Sequence, residues 1–358
     1  MKLVLISDSH AGARNDSILF NNYFLRFYKE VLFPYMDENK LDTIVHLGDL
    51  FDRRKYVNFF TLYSWRKNVF EPINKKYEMY IIQGNHDIYF KDSNEVNSLD
   101  ELFIGYDNIH VIDKPIEKTF DGTDILMIPW IHRSNEEQCM EKMESSRSSI
   151  LMGHFEILGF SMYKGMMNKD NGYDPAIFSR FEHVMSGHYH HRSTLHNITY
   201  LGSPYEIIWT DYRDPRGFHV FDTDTRELEF IENPLKIFYK INYNDVDKVY
   251  EDFVVQNEDG TNLSKFKDSY IKVVVKNKTN QNLFDQFIEA LHKENPADVA
   301  IIESVADADL DPDSIDETKD TLTLLLEYID TIGIVDENKQ SLIELLRKIY
   351  MESQNIDV

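Results

Sequence analysis

Five times in the first two hundred residues, a short apolar run with strand character ends in a Gly or Ser and then in Asp, Asn or His. The run KLVLIS leads into Asp8 and His10, TIVHL into Gly48 and Asp49, and MYIIQ into Gly84, Asn85, His86 and Asp87. SILM leads into Gly153 and His154, and HVM into Ser186, Gly187 and His188, with His190 two residues further on. Apolar runs bounded by such residues read as strands. In layered α/β sheets the loops at the carboxyl ends of strands converge on one edge, and that edge is where ligands bind. Helical stretches between the runs, over residues 17–36 and 58–74, fit the same layered architecture.

Composition narrows what such an edge can hold. The single cysteine, Cys139, excludes an intramolecular disulfide and a thiolate cage, so any metal must be held by N and O atoms. The formal net charge of −24 argues against a nucleic-acid partner. That charge is uneven, however: residues 303–320 carry eight acidic side chains against one lysine, whereas Arg53, Arg54 and Lys55 cluster behind the second motif. A bound metal also adds positive charge that a residue count omits. Asp8 and His10 interrupt the amino-terminal apolar run before a signal-peptide core forms, and no run approaches a membrane span. The expectation is a soluble, cytoplasmic protein with no membrane association.

At 358 residues the chain is long enough for more than one domain. The motifs and the strand pair GFHVFDTDTRELEFI fall within residues 1–234, where Pro234 marks a boundary. Residues 235–305 read as a small α+β unit, with a strand at YIKVVVK and a helix at LFDQFIEALHKE. Residues 306–317 read as an acidic linker. Residues 318–353 read as two amphipathic helices, with Leu322, Leu325, Leu326 and Ile329 on one face of the first and Leu342, Leu345, Leu346 and Ile349 on one face of the second. So small a unit buries little apolar surface alone, so these positions call for a partner.

Taken together, Asp8, His10, Asp49, Asn85, His154, His188 and His190, with His86 beside them, suffice for two metal ions. A pair about 3.5–4 Å apart can clamp a phosphodiester and lower the pKa of a bridging water. Imidazole, carboxylate and amide ligation without sulfur suits manganese or iron, with magnesium and zinc also compatible.

The motifs D-x-H, G-D, G-N-H-D, G-H and G-H-x-H, in this order, resemble those of the calcineurin-like metallophosphoesterase superfamily. That resemblance implies an α/β fold: a metallophosphoesterase β-sandwich flanked by helices, with a small α+β cap domain and a carboxyl-terminal helix pair. It implies one metal held by Asp8, His10, Asp49 and His190, and a second held by Asp49, Asn85, His154 and His188. Asp49 would bridge both, and His86 would act on the substrate as a catalytic acid or hydrogen-bond donor. Tyr189 would point elsewhere and His191 would be a bystander. The stretches GDLFDRRK, GNHDIYFKDSNEVNSLDEL, GHFEILGFSMYKGM, SGHYHHRS, YLGSPYEI and DPRGFHVFDTDT resemble SbcD/Mre-type DNA double-strand-break repair nuclease subunits, the phage T4-like recombination branch in particular.

That branch implies a manganese-dependent exonuclease and endonuclease acting on double- and single-stranded DNA, driven by an SMC-like ATPase that the terminal helix pair would dock. It also implies a homodimer through helices at 58–74 and 94–103, with Phe59, Leu62, Leu99 and Leu102 as contacts. Arg53, Arg54 and Lys55 are candidates for the DNA backbone, or form a solvated loop. The aromatics of residues 20–33 read as core, and His46, His110, His132, His183, His196, His219 and His292 as ordinary structural residues. Two other functions remain open on the same motifs: a phosphatase or phosphodiesterase with a different substrate, or a non-catalytic scaffold with a relic metal site.

Overall fold

The computed structural model describes residues 1–163, 166–168, 172–254 and 263–303, together with positions 342 and 345. The chain divides into two units, Met1–Ser304 and Val305–Val358. Of the second, only Leu342 and Leu345 are described, both helical, and Leu345 is exposed. Leu322, Leu325, Leu326, Ile329, Leu346 and Ile349 lie outside the described residues.

The first unit opens with strands β1 (Lys2–Ile6), β2 (Thr43–His46), β3 (Glu78–Ile82) and β4 (Ile109–Ile112). Next come β5 (Ile116–Phe120), β6 (Thr123–Ile128), β7 (Ile150–His154), the short hairpin β8 (Ser161–Tyr163) and β9 (Met166–Met167), β10 (His183–Gly187), β11 (Ser193–Leu195) and β12 (Ile198–Tyr200). The last are β13 (Gly217–Asp222), β14 (Leu228–Glu232), β15 (Phe238–Asn244), β16 (Tyr270–Asn277) and β17 (Asp298–Glu303). Two six-stranded sheets result, in the orders β14-β13-β1-β2-β3-β4 and β11-β12-β10-β7-β6-β5. In each, the strands that carry the motifs run parallel: β1, β2 and β3 in the first sheet, β7 and β10 in the second. All five motifs therefore leave their strands at carboxyl ends.

Side-chain alternation along the strands sets the layers. Leu3 and Leu5 of β1 share one core with Val45 of β2, Ile125 and Met127 of β6 and Met152 of β7, so the two sheets face each other. Val4 and Ile6 point the other way, into a core with Phe20, Phe24, Trp65 and Phe70 from the helices on the outer face of the first sheet. The outer face of the second sheet packs Leu126, Leu151 and Val184 against Cys139, Met143 and Phe178. The result is a two-sheet sandwich with helices outside, the architecture expected from the motif order.

Both long helices carry a proline without breaking. The first runs through Ile18–Arg26, a π-wound turn at Phe27–Leu32 and Phe33–Asn39; the second through Phe59–Trp65, a π-wound turn at Arg66–Phe70 and Glu71–Lys76. Proline lacks an N–H and its ring crowds the carbonyl of the preceding turn. A widened turn just upstream of Pro34 and of Pro72 relieves that crowding, and the helix continues. The helix expected over 94–103 is shorter, Ser98–Leu102. Asn94 instead gives its amide to Gln83 Oε1 at 2.9 Å and to the Asp113 carbonyl at 2.7 Å, and Asn97 caps the helix by accepting from the Asp100 N–H at 2.8 Å. Leu99 is fully buried in the protein's own core, whereas Phe59 is 88% exposed.

Strands β15, β16 and β17 form a separate parallel sheet against the helix Gln281–Lys293, with a core of Val273, Phe284, Phe287 and Leu291. The passage across Pro234 is tied down: the buried carboxylate of Glu206 accepts from the N–H groups of Ile237 and Phe238 at 2.8 and 3.0 Å. Among the described residues, no helix is long and apolar enough to cross a membrane.

Leu5 sits at the centre of the inter-sheet core with no exposed surface. Leu5→Ala is expected to lower unfolding stability by about 2–5 kcal/mol, read from urea titration.

Candidate metal centre

Each motif residue is aimed by its strand end, and four of them also by a turn that bends away from ordinary backbone. Asp8, His10, Asp49 and His188 all have positive φ, at 53°, 43°, 55° and 96°. For residues with a Cβ this left-handed conformation is unfavourable by about 1–2 kcal/mol each, and such strain gathers where a site fixes its side chains. Gly48, at φ 96°, and Gly187 meet a second demand, close approach between the sheets. A Cβ on Gly48 would overlap His154 Nδ1, and one on Gly187 would overlap Ser7 Oγ and the Leu47 carbonyl. Without those glycines the carboxyl edges of the sheets could not touch.

The residue between each ligand pair is anchored on the far side. Ser9, between Asp8 and His10, bonds Tyr28 Oη and His46 Nε2, both at 2.8 Å, so His46 is a core histidine as expected. Tyr189, between His188 and His190, stacks on Tyr200 with ring centroids 4.6 Å apart. The flanking side chains are thereby left facing the cleft, a cavity of about 320 Å³ that His10, Asp49, His86, His188 and His190 line.

Two groups of donor atoms form there. Asp8, His10 and His190 make one and Asp49, His154 and His188 the other, each with its atoms within 4.8 Å of one another. Asn85 joins the second, its Oδ1 lying 3.0 Å from both His154 Nε2 and His188 Nδ1. The Nδ1–H of His154 donates to the Leu47 carbonyl at 2.6 Å, which fixes the tautomer and leaves Nε2 as a lone-pair donor. That nitrogen then faces Asn85 Oδ1 and, at 3.3 Å, Asp49 Oδ2. In the first group the Nε2 atoms of His10 and His190 face each other at 3.0 Å. Donor atoms packed this closely can share a proton or a cation, and the donor set of imidazole, carboxylate and amide oxygen fits a divalent metal.

The protonation tendencies show the same demand. Burial works against charge on His154, yet Asp49 raises its pKa to about 9. For His10, burial is likewise outweighed by Asp52, Asp49 and Asp8, which lift it to about 9. Asp49 is also buried, but His154 and His86 hold it well below the usual carboxylate range. His188 is pushed down to about 3 by burial and by the neighbouring His154.

The calcineurin-like phosphoesterase family profile matches residues 1–192. The chain belongs to the calcineurin-like phosphoesterase family. It is 31% identical to exonuclease subunit 1 of Enterobacteria phage T4, over 99% of this chain and 99% of that protein. It is also 26% identical to an SbcCD nuclease subunit of Staphylococcus epidermidis, over 76% of this chain and 82% of that protein.

Other side chains of this phosphoesterase complete the site. His86 stands outside both donor groups: its Nδ1–H donates to the Asp52 carbonyl at 2.5 Å, and its backbone N–H donates to Asp49 Oδ1 at 2.8 Å. Burial lowers its pKa, with Asp49 opposing. Asp87, to which no role was assigned from sequence, is fully buried and accepts from the backbone N–H groups of Asp49, Leu50, Phe51 and Gly84 at 2.9–3.3 Å. Its signal was in plain view as the last letter of G-N-H-D. Trp130, 5.0 Å from the His188 ring, was hidden because β6 runs out through Pro129, Trp130 and Ile131 without the Gly or Ser that marks the other five strand ends. The buried Arg216 binds Asp211 at 2.6 Å and Asp214 at 2.8 Å and touches the His190 carbonyl, and His191 Nδ1 lies 2.9 Å from the same Asp214. His191 thus belongs to the support of the site.

Of the basic cluster, Arg53 is engaged with Asp16 at 3.0 Å and Asn15 at 2.7 Å, Arg54 is partly buried, and Lys55 is exposed. Both Asp87 oxygens are occupied by amides, so its influence on metal must pass through the backbone of the second and third motifs. Asp87→Asn is expected to weaken manganese binding about 10–100-fold in titration calorimetry, with the circular dichroism spectrum retained.

Proposed function

We propose that this phosphoesterase is the nuclease subunit of an ATPase–nuclease complex in DNA recombination and double-strand-break repair, cleaving DNA phosphodiesters with manganese. The observation that carries this reading is the pair of adjoining donor groups with His86 beside but outside them. The full-length likeness to the phage T4 exonuclease subunit supports DNA as the substrate. Two divalent ions held at these groups would supply Lewis-acid charge to the phosphoryl oxygens and would activate a water.

The chain's own residues do the rest. Asp8, His10 and His190 would hold one ion and Asn85, His154 and His188 the other, with Asp49 between them, its Oδ2 3.9 Å from His10 Nε2 and 3.3 Å from His154 Nε2. His86, held at Nδ1 by the Asp52 carbonyl, lines the cleft; taking a proton from solvent as the phosphate anion enters, its Nε2–H binds the phosphoryl group and gives that proton to the departing oxygen, which leaves the ring neutral again. Asp52 also faces His10 Nδ1 at 3.4 Å and steadies that ring.

Both relatives are named as subunits, which supports assembly. The sequence period that places Leu322, Leu325, Leu326 and Ile329 together, and Leu342, Leu345, Leu346 and Ile349 together, suits docking on an SMC-like ATPase by helix-in-groove packing. A homodimer is supported by the aromatic face of the helix Phe59–Trp65, where Phe59, Phe60 and Tyr63 are 88%, 46% and 54% exposed. Fully buried Leu99 is left out of that contact.

Two experiments test this function. His86→Ala should keep both ions by calorimetry while manganese-dependent cleavage of a labelled duplex falls about 10²-fold, whereas Asp49→Ala should lose metal and activity together. Loss of an ion in His86→Ala would overturn the assignment. In the second, a chain truncated from Asp313 should remain a dimeric, metal-dependent nuclease but should no longer co-elute with its ATPase. Co-elution at unchanged affinity would move the docking surface elsewhere.

A further inference from the structure

Three consecutive residues beside the cleft pass through the left-handed region. Arg14 lies at φ 57° and ψ 45°, Asn15 at φ 56° and ψ 45°, and Asp16 at φ 56°, just after Gly12 at φ 92°. Each such residue crowds its Cβ against a carbonyl, so the turn persists only where its surroundings hold it. Here Thr61 Oγ1 donates to Asp16 Oδ1 at 2.7 Å, Arg53 Nη1 to Asp16 Oδ2 at 3.0 Å, and Arg53 Nη2 to Asn15 Oδ1 at 2.7 Å. The loop of the second motif and the first turn of the helix Phe59–Trp65 thereby clamp the loop of the first.

The clamp leaves Arg14 exposed on the rim of the metal cleft, which it lines together with His10, Asp49, Asp52 and His86. Its guanidinium rests over the Phe20 ring at 5.5 Å, and among the described residues it makes no ion pair. It is the one permanently cationic side chain among the described residues lining that cleft. On a chain of net charge −24, a polyanion has to be held by local positive charge.

We propose that Arg14 binds a backbone phosphate adjoining the scissile one, and that Arg53 acts through it as a positioning residue. This rests on the nuclease reading above. The class of ligand follows from chemistry: a planar, always charged fork on a pre-set backbone suits bidentate contact with phosphate oxygens. The flanking position follows from place, because the scissile group belongs to the two donor groups, and Arg14 stands outside both. Arg53, a candidate for DNA contact from its position in the sequence, instead has its guanidinium engaged in holding Asp16 and Asn15.

The test compares two substrates of the full chain with manganese: a labelled duplex oligonucleotide, and bis(p-nitrophenyl) phosphate, a diester with no neighbouring phosphate. Arg14→Ala is expected to lower kcat/KM on DNA about tenfold more than on the small diester. The slope of log KM against log salt should also become shallower by about one unit. Arg14→Lys should restore most of the salt slope but only part of the rate. Arg53→Ala should show the same DNA-selective loss, and Arg14→Ala combined with Arg53→Ala should be no worse than Arg14→Ala alone. Equal losses on both substrates, or an unchanged salt slope, would overturn the role of Arg14. Additive losses in the double variant would overturn that of Arg53. A parent protein that hydrolyses the diester but never cleaves DNA would instead sink the nuclease reading, and this proposal with it.

Discussion

The carboxylate of Asp87 takes hydrogens from four backbone amides that belong to two different strand ends. Buried amides without partners are costly, and the bridge of the loop after β2 to Ala11 leaves the N–H groups of Asp49, Leu50 and Phe51 to be satisfied elsewhere. Asp87 satisfies them from the loop after β3, and so locks the G-D turn to the G-N-H-D turn. Asp49, fixed at its own N–H, then receives the His86 N–H on its side chain. Across the sandwich, Asp8 receives the N–H of His188, 180 residues away in sequence, at 3.0 Å. A series of carboxylate-to-amide bonds thus ties the edges of the two sheets together before any metal is considered.

Those edges would otherwise repel. The site buries carboxylates and imidazole lone pairs within van der Waals distance, and a group of that kind is stable only with positive charge at its centre. Protons can serve, and the carboxylates around His10 and His154 raise the pKa of both rings toward that role. Divalent ions serve better, and they turn an anionic pocket on an anionic protein into a place for phosphate. The formal charge of the chain therefore says little about its substrate: the relevant field is that of a small cleft, set by its ligands, by any ions they hold and by Arg14 on its rim.

The strand-end positions were legible in the sequence because each rests on a local rule. A parallel strand needs a continuous apolar run, a close crossing needs glycine, and alternation sends the flanking residues of D-x-H and H-x-H the same way. The aromatics of residues 20–33 were readable as core for the same reason, through helical period. Asp87 had no such rule, since a carboxylate beside a ligand cluster reads as one more ligand until its four amide partners are seen. The helix over 94–103 failed at its start because Asn94 prefers the partners it finds in Gln83 and Asp113, which no window of sequence contains.

What the sequence by itself determined is the set of groups and the edge at which they emerge, for periodicity and turn chemistry act over a few residues. The tertiary structure alone decided which groups meet. It brought His188 to Asp8 and Asn85, set His86 against the Asp52 carbonyl, and drew Arg53 away from solvent to brace a left-handed turn. Those pairings join residues from separate strands and helices, and they arise only when two sheets close over a common core.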